Sequence, residues 1–131
     1  MNNPSESCPC DASASYPACC GRYLDDSQCP ETAEALMRSR YVAYVQGRAD
    51  YLLQTWHPAT RPTTLDLESE PVRWLGLQVH RVEAGGLQDN EGIVEFVARY
   101  KVGGRAHRLH EVSRFVREAG RWFYRGAQIA S

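Results

Sequence analysis

The chain has 131 residues, of which 43% are hydrophobic and 24% charged, and its formal net charge is −1. That is enough for one domain with a packed core plus a small appendage. No window approaches ~18 consecutive apolar residues, which excludes a membrane-spanning helix. The opening MNNPSESCPC has neither a basic start nor an apolar run, so a cytoplasmic protein is the expectation.

The five cysteines Cys8, Cys10, Cys19, Cys20 and Cys29 all fall within the first 29 residues. This is a local cluster, not a framework spread over a fold. Disulfides are disfavoured in a cytoplasmic chain, and bridging Cys8 and Cys10 to the adjacent Cys19 and Cys20 is sterically demanding. A disulfide pair and free thiols stay open as alternatives. Clustering and compartment favour one zinc ion on Cys8, Cys10, Cys19 and Cys20, since zinc takes four sulfur or nitrogen donors in a tetrahedral shell. Cys29 is then surplus. The same segment carries Glu6, Asp11, Asp25 and Asp26 against Arg22 alone, which argues against a nucleic-acid finger.

Cys8-Pro9-Cys10, Tyr16 and Cys19-Cys20 together resemble the SEC-C zinc motif found at the tail of the preprotein translocase ATPase. That motif usually continues with glycines and two lysines where this chain has Asp11-Ala12-Ser13-Ala14-Ser15. The resemblance implies docking of a protein partner, without the positive charge such tails carry.

Thr32 is placed to cap a helix over Ala33–Val45, with Leu36, Met37, Arg40, Tyr41 and Tyr44 along one stripe and Gly47 as its stop. A second helix is expected over Asp50–His57, ended by Pro58. Residues 58–71 read as a loop. From Trp74 the apolar period becomes two, which predicts strands over Arg73–Glu83, Ile93–Val102, Arg105–Glu118 and Arg121–Ile129, punctuated by Gly85-Gly86, Gly103-Gly104 and Ala119-Gly120. Helices followed by an antiparallel meander make an α+β fold. The expected division is a zinc-binding motif over 1–29 and an α+β domain over 30–131.

Two-residue turns at Gly103-Gly104 and Ala119-Gly120 fix the side-chain directions. Phe96 then faces Glu111, Val94 faces Ser113, Ala98 faces Leu109, Phe115 faces Tyr124 and Arg117 faces Trp122. One face gathers Phe96, Trp122 and Tyr124 around Glu111 and Ser113. A carboxylate among aromatic rings needs a partner, and Arg40 on the first helix is the expected counter-charge. Arg40, Tyr44, Trp56, His57, Phe96, Glu111, Ser113, Trp122 and Tyr124 are the candidate pocket residues, with Trp56 and His57 at its rim. The other face collects Arg99, Lys101, Arg108, Arg114, Arg121 and Arg125 against Glu95 and Glu118, with Glu95 expected to pair with Arg114.

The segments Leu36-Met37-Arg38-Ser39-Arg40-Tyr41, Tyr51-Leu52, Thr55-Trp56-His57, Val94-Glu95-Phe96, Arg99-Tyr100, His110-Glu111 and Ser113-Arg114-Phe115-Val116 are similar to the bacterial YchJ family. This resemblance implies a SEC-C motif joined to a nuclear-transport-factor-2-like cone, also called cystatin-like, with helices packed on a curved antiparallel sheet. Folds of this kind often form homodimers through the open sheet face, which is an analogy at the level of fold. No nucleophile–base–orienter set is legible, so no catalytic residue is assigned. The expected function is an interaction module docking a protein partner. A small-ligand binder or enzyme using the cone around Glu111 is the alternative, followed by nucleic-acid binding through the basic face.

Overall fold

The computed structural model describes residues 8–10, 15–67 and 72–127. After a short 3-10 turn at Tyr16–Ala18 come α1 (Gly21–Leu24), α2 (Ala33–Gln46) and α3 (Ala49–Gln54). Four strands follow: β1 (Arg73–Ala84), β2 (Glu91–Val102), β3 (Arg105–Glu118) and β4 (Arg121–Ala127). They form one antiparallel meander in chain order. The expected fourth strand reached Ile129, but its last two residues lie outside the described set.

Helix α2 begins and ends as its sequence dictates. The Thr32 hydroxyl accepts from Ala35 N at 3.0 Å, and Gly47 closes the helix at φ 71°, a conformation glycine adopts without steric cost. Gly85 and Gly92 have a different reason. A Cβ on Gly92 would sit 2.6 Å from the Gly85 Cα, and one on Gly85 would sit 2.8 Å from the Ala33 Cβ. The bare backbones let the β1–β2 hairpin slide under the start of α2, where the Gly85 carbonyl accepts from Ala33 N at 2.9 Å.

Helix α3 stops at Gln54, three residues short of the expectation. Its continuation is captured by the sheet instead. Tyr124 N donates to Thr55 O and His57 N donates to Tyr124 O, both at 2.8 Å, so Trp56 forms a parallel bridge with Tyr124. Pro58, which follows, cannot continue a helix in any case.

The β2–β3 register is the expected one, with Phe96 opposite Glu111, Val94 opposite Ser113 and Ala98 opposite Leu109. Phe115 opposite Tyr124 and Arg117 opposite Trp122 also hold. β1 is less regular. Its pairing jumps between Trp74 and Gly76 and again between Val79 and Arg81. The extra residues, Leu75 and His80, place Trp74, Leu77, Val79 and Val82 opposite Tyr100, Ala98, Phe96 and Val94, all on the face that α2 covers. On the other face Glu95 binds Arg81 at 3.1 Å and His110 at 2.7 Å, not Arg114 as expected. Arg114 lies 4.0 Å from Glu91, because it sits opposite Ile93 in the ladder.

The turn at Ala119-Gly120 has φ 52° and 78°. Alanine in the left-handed region is strained by roughly 1 kcal/mol or more. Ala119→Gly is therefore expected to stabilise the fold by about 0.5–1 kcal/mol, net of glycine's greater freedom in the unfolded chain. Denaturant midpoints of the two forms check this, and an unchanged or lower midpoint counts against a strained turn.

The core is continuous from end to end. Cys8, Cys10, Cys19 and Cys20 belong to the same buried cluster as Ala33, Leu36, Met37, Tyr41, Val94, Phe115 and Trp122.

Candidate functional site

The four clustered cysteines converge although they come from separate pieces of chain. Gly21 makes the local fold feasible, since a Cβ there would lie 2.8 Å from the Tyr16 carbonyl and 3.0 Å from its ring. The sulfurs of Cys8, Cys10, Cys19 and Cys20 all lie within 4.8 Å of one another. Cys10 Sγ is 3.6 Å from Cys19 Sγ, and Cys19 Sγ is 4.0 Å from Cys20 Sγ. These separations are far beyond an S–S bond of ~2.05 Å, and all four thiols are free and buried. Cys29 is exposed and outside the cluster. Hydrogen bonds from Cys10 and Cys20 hold the Cys8 thiol below the ordinary thiol range, while bonds with Cys10 and Cys8, followed by burial, push Cys20 up. Four soft donors at this spacing can hold one metal ion.

Two arginines bind this segment to the helices. Arg38 of α2 donates to Cys10 O at 2.6 Å and to Glu34 Oε2 at 2.9 Å. Arg48 donates to Leu24 O at 2.7 Å and pairs with Asp25 at 2.5 Å.

The second feature is a cavity of about 300 Å³ between α2 and the sheet. Trp56, Trp74, Tyr44, Phe96 and Tyr124 supply aromatic walls, and Arg40, Glu111 and Ser113 supply polar groups. Arg40 and Glu111 share this cavity, but the direct ion pair expected between them does not form. Arg40 Nη1 donates to Leu52 O and Thr55 Oγ1, both at 2.7 Å. Its guanidinium lies 5.0 Å from the Trp56 ring centre and 4.5 Å from that of Tyr124. Glu111 Oε2 accepts from Ser113 Oγ and, at 2.9 Å, from the Tyr124 hydroxyl. Tyr124 thus stands between the two charges, touching one with its ring and the other with its hydroxyl. Burial lowers the Arg40 guanidinium to about 10, against smaller opposing effects of Tyr44, Tyr124 and Glu111.

Burial also raises the surrounding phenols. Tyr51, whose hydroxyl meets Ser39 Oγ at 2.7 Å, is pushed up to about 12. Tyr124 is raised by burial first and then by the Glu111 charge. An unfolded tyrosine ionises near 10, so the unfolded chain loses these protons first. The stabilisation is complete below pH 10 and drains away as the pH climbs toward 12. Ultraviolet tyrosinate absorbance should therefore show a late group of phenols that appears together with loss of near-ultraviolet circular dichroism. Titration of all seven tyrosines near 10 with the fold intact contradicts this burial.

Two candidate pocket residues lie elsewhere. His57 does not line the cavity. Its Nδ1 accepts from Ala59 N at 3.0 Å and its Nε2 meets Glu118 Oε2 at 2.8 Å, because the bridge to β4 swings it toward the end of that strand. Trp122 is 3% exposed, and its Nε1 donates to Glu31 O at 3.0 Å, which places it under the approach to α2. Conversely, Trp74 lines the cavity, a place that the sequence pattern does not give it. It is held there by the irregularity at Leu75, which alternation along the strand does not reveal. Met37 and Tyr41 also line the cavity, and the helical stripe that named Arg40 and Tyr44 contained both of them.

Comparison with known proteins bears on both features. The profile of the family described as YchJ, middle NTF2-like domain, matches residues 32–127. A UPF0225 protein of Chromobacterium violaceum is 57% identical over 126 residues, covering 94% of this chain and 93% of its own length. One from Bordetella pertussis is 51% identical over 127 residues, covering 93% of each. The solution structure of a SEC-C motif containing protein from Rhodopseudomonas palustris superposes with a TM-score of 0.81 at 32% identity, covering 95% of this chain and 98% of that one. The crystal structure of a SEC-C motif containing protein from Psychrobacter arcticus gives 0.74 at 26% identity, covering 100% and 88%.

Proposed function

The chain belongs to the YchJ family of UPF0225 proteins, and from that premise we propose that it is a zinc-stabilised protein that binds a small molecule in its aromatic cavity. The observation carrying this reading is that the cone is open: about 300 Å³ is left between α2 and the sheet, lined by rings and by Glu111. A space of this size is at the small end of ligand pockets.

Zinc is supported by the donor set. A tetrahedral ion with sulfurs at ~2.3 Å requires sulfur–sulfur edges of about 3.8 Å, and the distances of 3.6 Å and 4.0 Å bracket that value. Four thiolates leave no open position for substrate, so the ion's role is structural. Docking of a protein partner through this motif has less support, since the four cysteines are buried in the core that α2 helps to build. Among the described residues, no helix is long and apolar enough to cross a membrane.

Native mass spectrometry of the protein from its own cells tests the proposal. One zinc per chain and a small-molecule adduct are expected. Ala98→Leu, which fills the cavity wall, should abolish the adduct and keep the zinc. An adduct that survives Ala98→Leu removes the cavity from consideration.

A further inference from the structure

The polar groups of the cavity define what it can hold. Resting on the ligand-binding reading above, we infer that the ligand is an uncharged planar heterocycle presenting an N–H beside a carbonyl, a lactam of one or two fused rings.

The aromatic walls come first. Trp74 stands 5.6 Å from Tyr44 and 5.3 Å from Tyr100, and Trp56 is 5.2 Å from Tyr124. Such walls favour a flat ring that can stack on them or meet their edges. Charge comes next. Arg40, only 5% exposed, already occupies the faces of Trp56 and Tyr124. A cationic ligand seeking those faces meets a buried guanidinium, and the attraction of cations to aromatic faces is spent. An anionic ligand meets Glu111. The two fixed charges leave room for a neutral molecule with complementary ends.

Hydrogen bonding then gives the ends their chemistry. Glu111 uses Oε2 for Ser113 and Tyr124, and Oε1 has no partner among the described residues. A carboxylate oxygen accepts only, so it selects an N–H or O–H donor. Among the described residues Arg40 donates through Nη1, and its remaining guanidinium protons serve a carbonyl on the same ligand. A lactam places one donor beside one acceptor in the plane of a ring, which matches a carboxylate and a guanidinium flanking one aromatic residue. The size of the cavity limits it to one or two fused rings.

The experiment titrates the full-length zinc-loaded protein with quinolin-2-one, following the fluorescence of Trp56 and Trp74 and the melting temperature. N-methylquinolin-2-one removes only the donor, and quinoline offers only an acceptor. Tryptamine and indole-3-acetate carry a positive and a negative charge on similar ring area. Quinolin-2-one is expected to bind at least about tenfold more tightly than each of the others, the difference a single charge-assisted hydrogen bond provides. Glu111→Gln should weaken it by about tenfold and leave quinoline unchanged. The N-methyl comparison needs no protein variant, so it decides the matter even if Glu111→Gln folds poorly. Equal binding of the N-methyl compound, or tighter binding of either charged probe, overturns the lactam class and leaves the ligand-binding cavity standing. If no probe binds and filling the cavity with Ala98→Leu changes no adduct in the native protein, both readings fail together.

Discussion

Cys10→Ser is expected to strip the proposed zinc and to lower the main unfolding transition by on the order of 10 °C, about 3 kcal/mol for a chain of this length. The effect reaches beyond the N-terminal segment because the sulfurs share a core with Leu36 and Met37. Arg38 also donates to the Cys10 carbonyl. Loosening the segment uncovers apolar surface on α2 and frees two arginines from backbone carbonyls, each a hydrogen bond of roughly 1.5–3 kcal/mol when one partner is charged. Removing the metal with a chelator should reproduce the loss. Cys29→Ser should change neither metal content nor stability, since Cys29 is exposed and outside the cluster. Metal analysis and calorimetry on the three samples decide it. If metal is lost while the main transition stays in place, the shared core contributes nothing and the two segments are energetically separate.

Arg40→Met is expected to cost about 3 kcal/mol. It removes two hydrogen bonds to a buried charge, at Leu52 O and Thr55 Oγ1, and a desolvated stack over Trp56 and Tyr124 worth ~2 kcal/mol. Relief from burying a guanidinium offsets part of this sum. Glu111→Gln alone should be milder, because Ser113 and Tyr124 still donate to the side-chain oxygen that remains. The double variant distinguishes this arrangement from a direct ion pair. With Tyr124 shared by the two groups, the coupling should sit at the low end for linked residues, about 0.5–1 kcal/mol. A double variant more stable than Arg40→Met alone would mean that the two charges interact directly.

The sequence carried the sheet further than it carried the pocket. Two glycine-bearing turns of two residues fix the pairings next to them, so the Phe96–Glu111 and Phe115–Tyr124 pairs follow by counting, whereas the shift beyond Phe115 that sets Arg114 opposite Gly126 does not. Helical spacing likewise says that Arg40 shares a face with Leu36 and Tyr44. It does not say how far a guanidinium reaches, or that the end of α3 offers a carbonyl and a hydroxyl nearer than Glu111. That contact joins residues 12 and 15 apart along the chain, and no local period encodes it. His57 went astray for a related reason: its place depends on the bridge between Trp56 and Tyr124, a long-range pairing of a segment that reads as a helix end. The cysteines were legible as a group because they lie close in sequence. Their burial against α2 was not, since a metal cluster with few apolar neighbours reads as a separate appendage.

The irregular β1 and the bridge at Trp56 have a consequence for how this molecule behaves at high concentration. A meander of four strands has two lateral borders, each a row of unpaired amides and carbonyls on which a foreign strand can grow. Here one border is β1, whose ladder is broken at Leu75 and at His80. The other is β4, where the chain at 55–57 has already taken the Tyr124 amide and carbonyl. Neither side offers a long, flat run for strand addition, so fibril-like stacking through the sheet is resisted by geometry that also shapes the cavity. A variant that regularised β1 by deleting Leu75 would restore an even ladder at that point, keep Trp74 opposite Tyr100, and give the border the smoothness that aggregation requires.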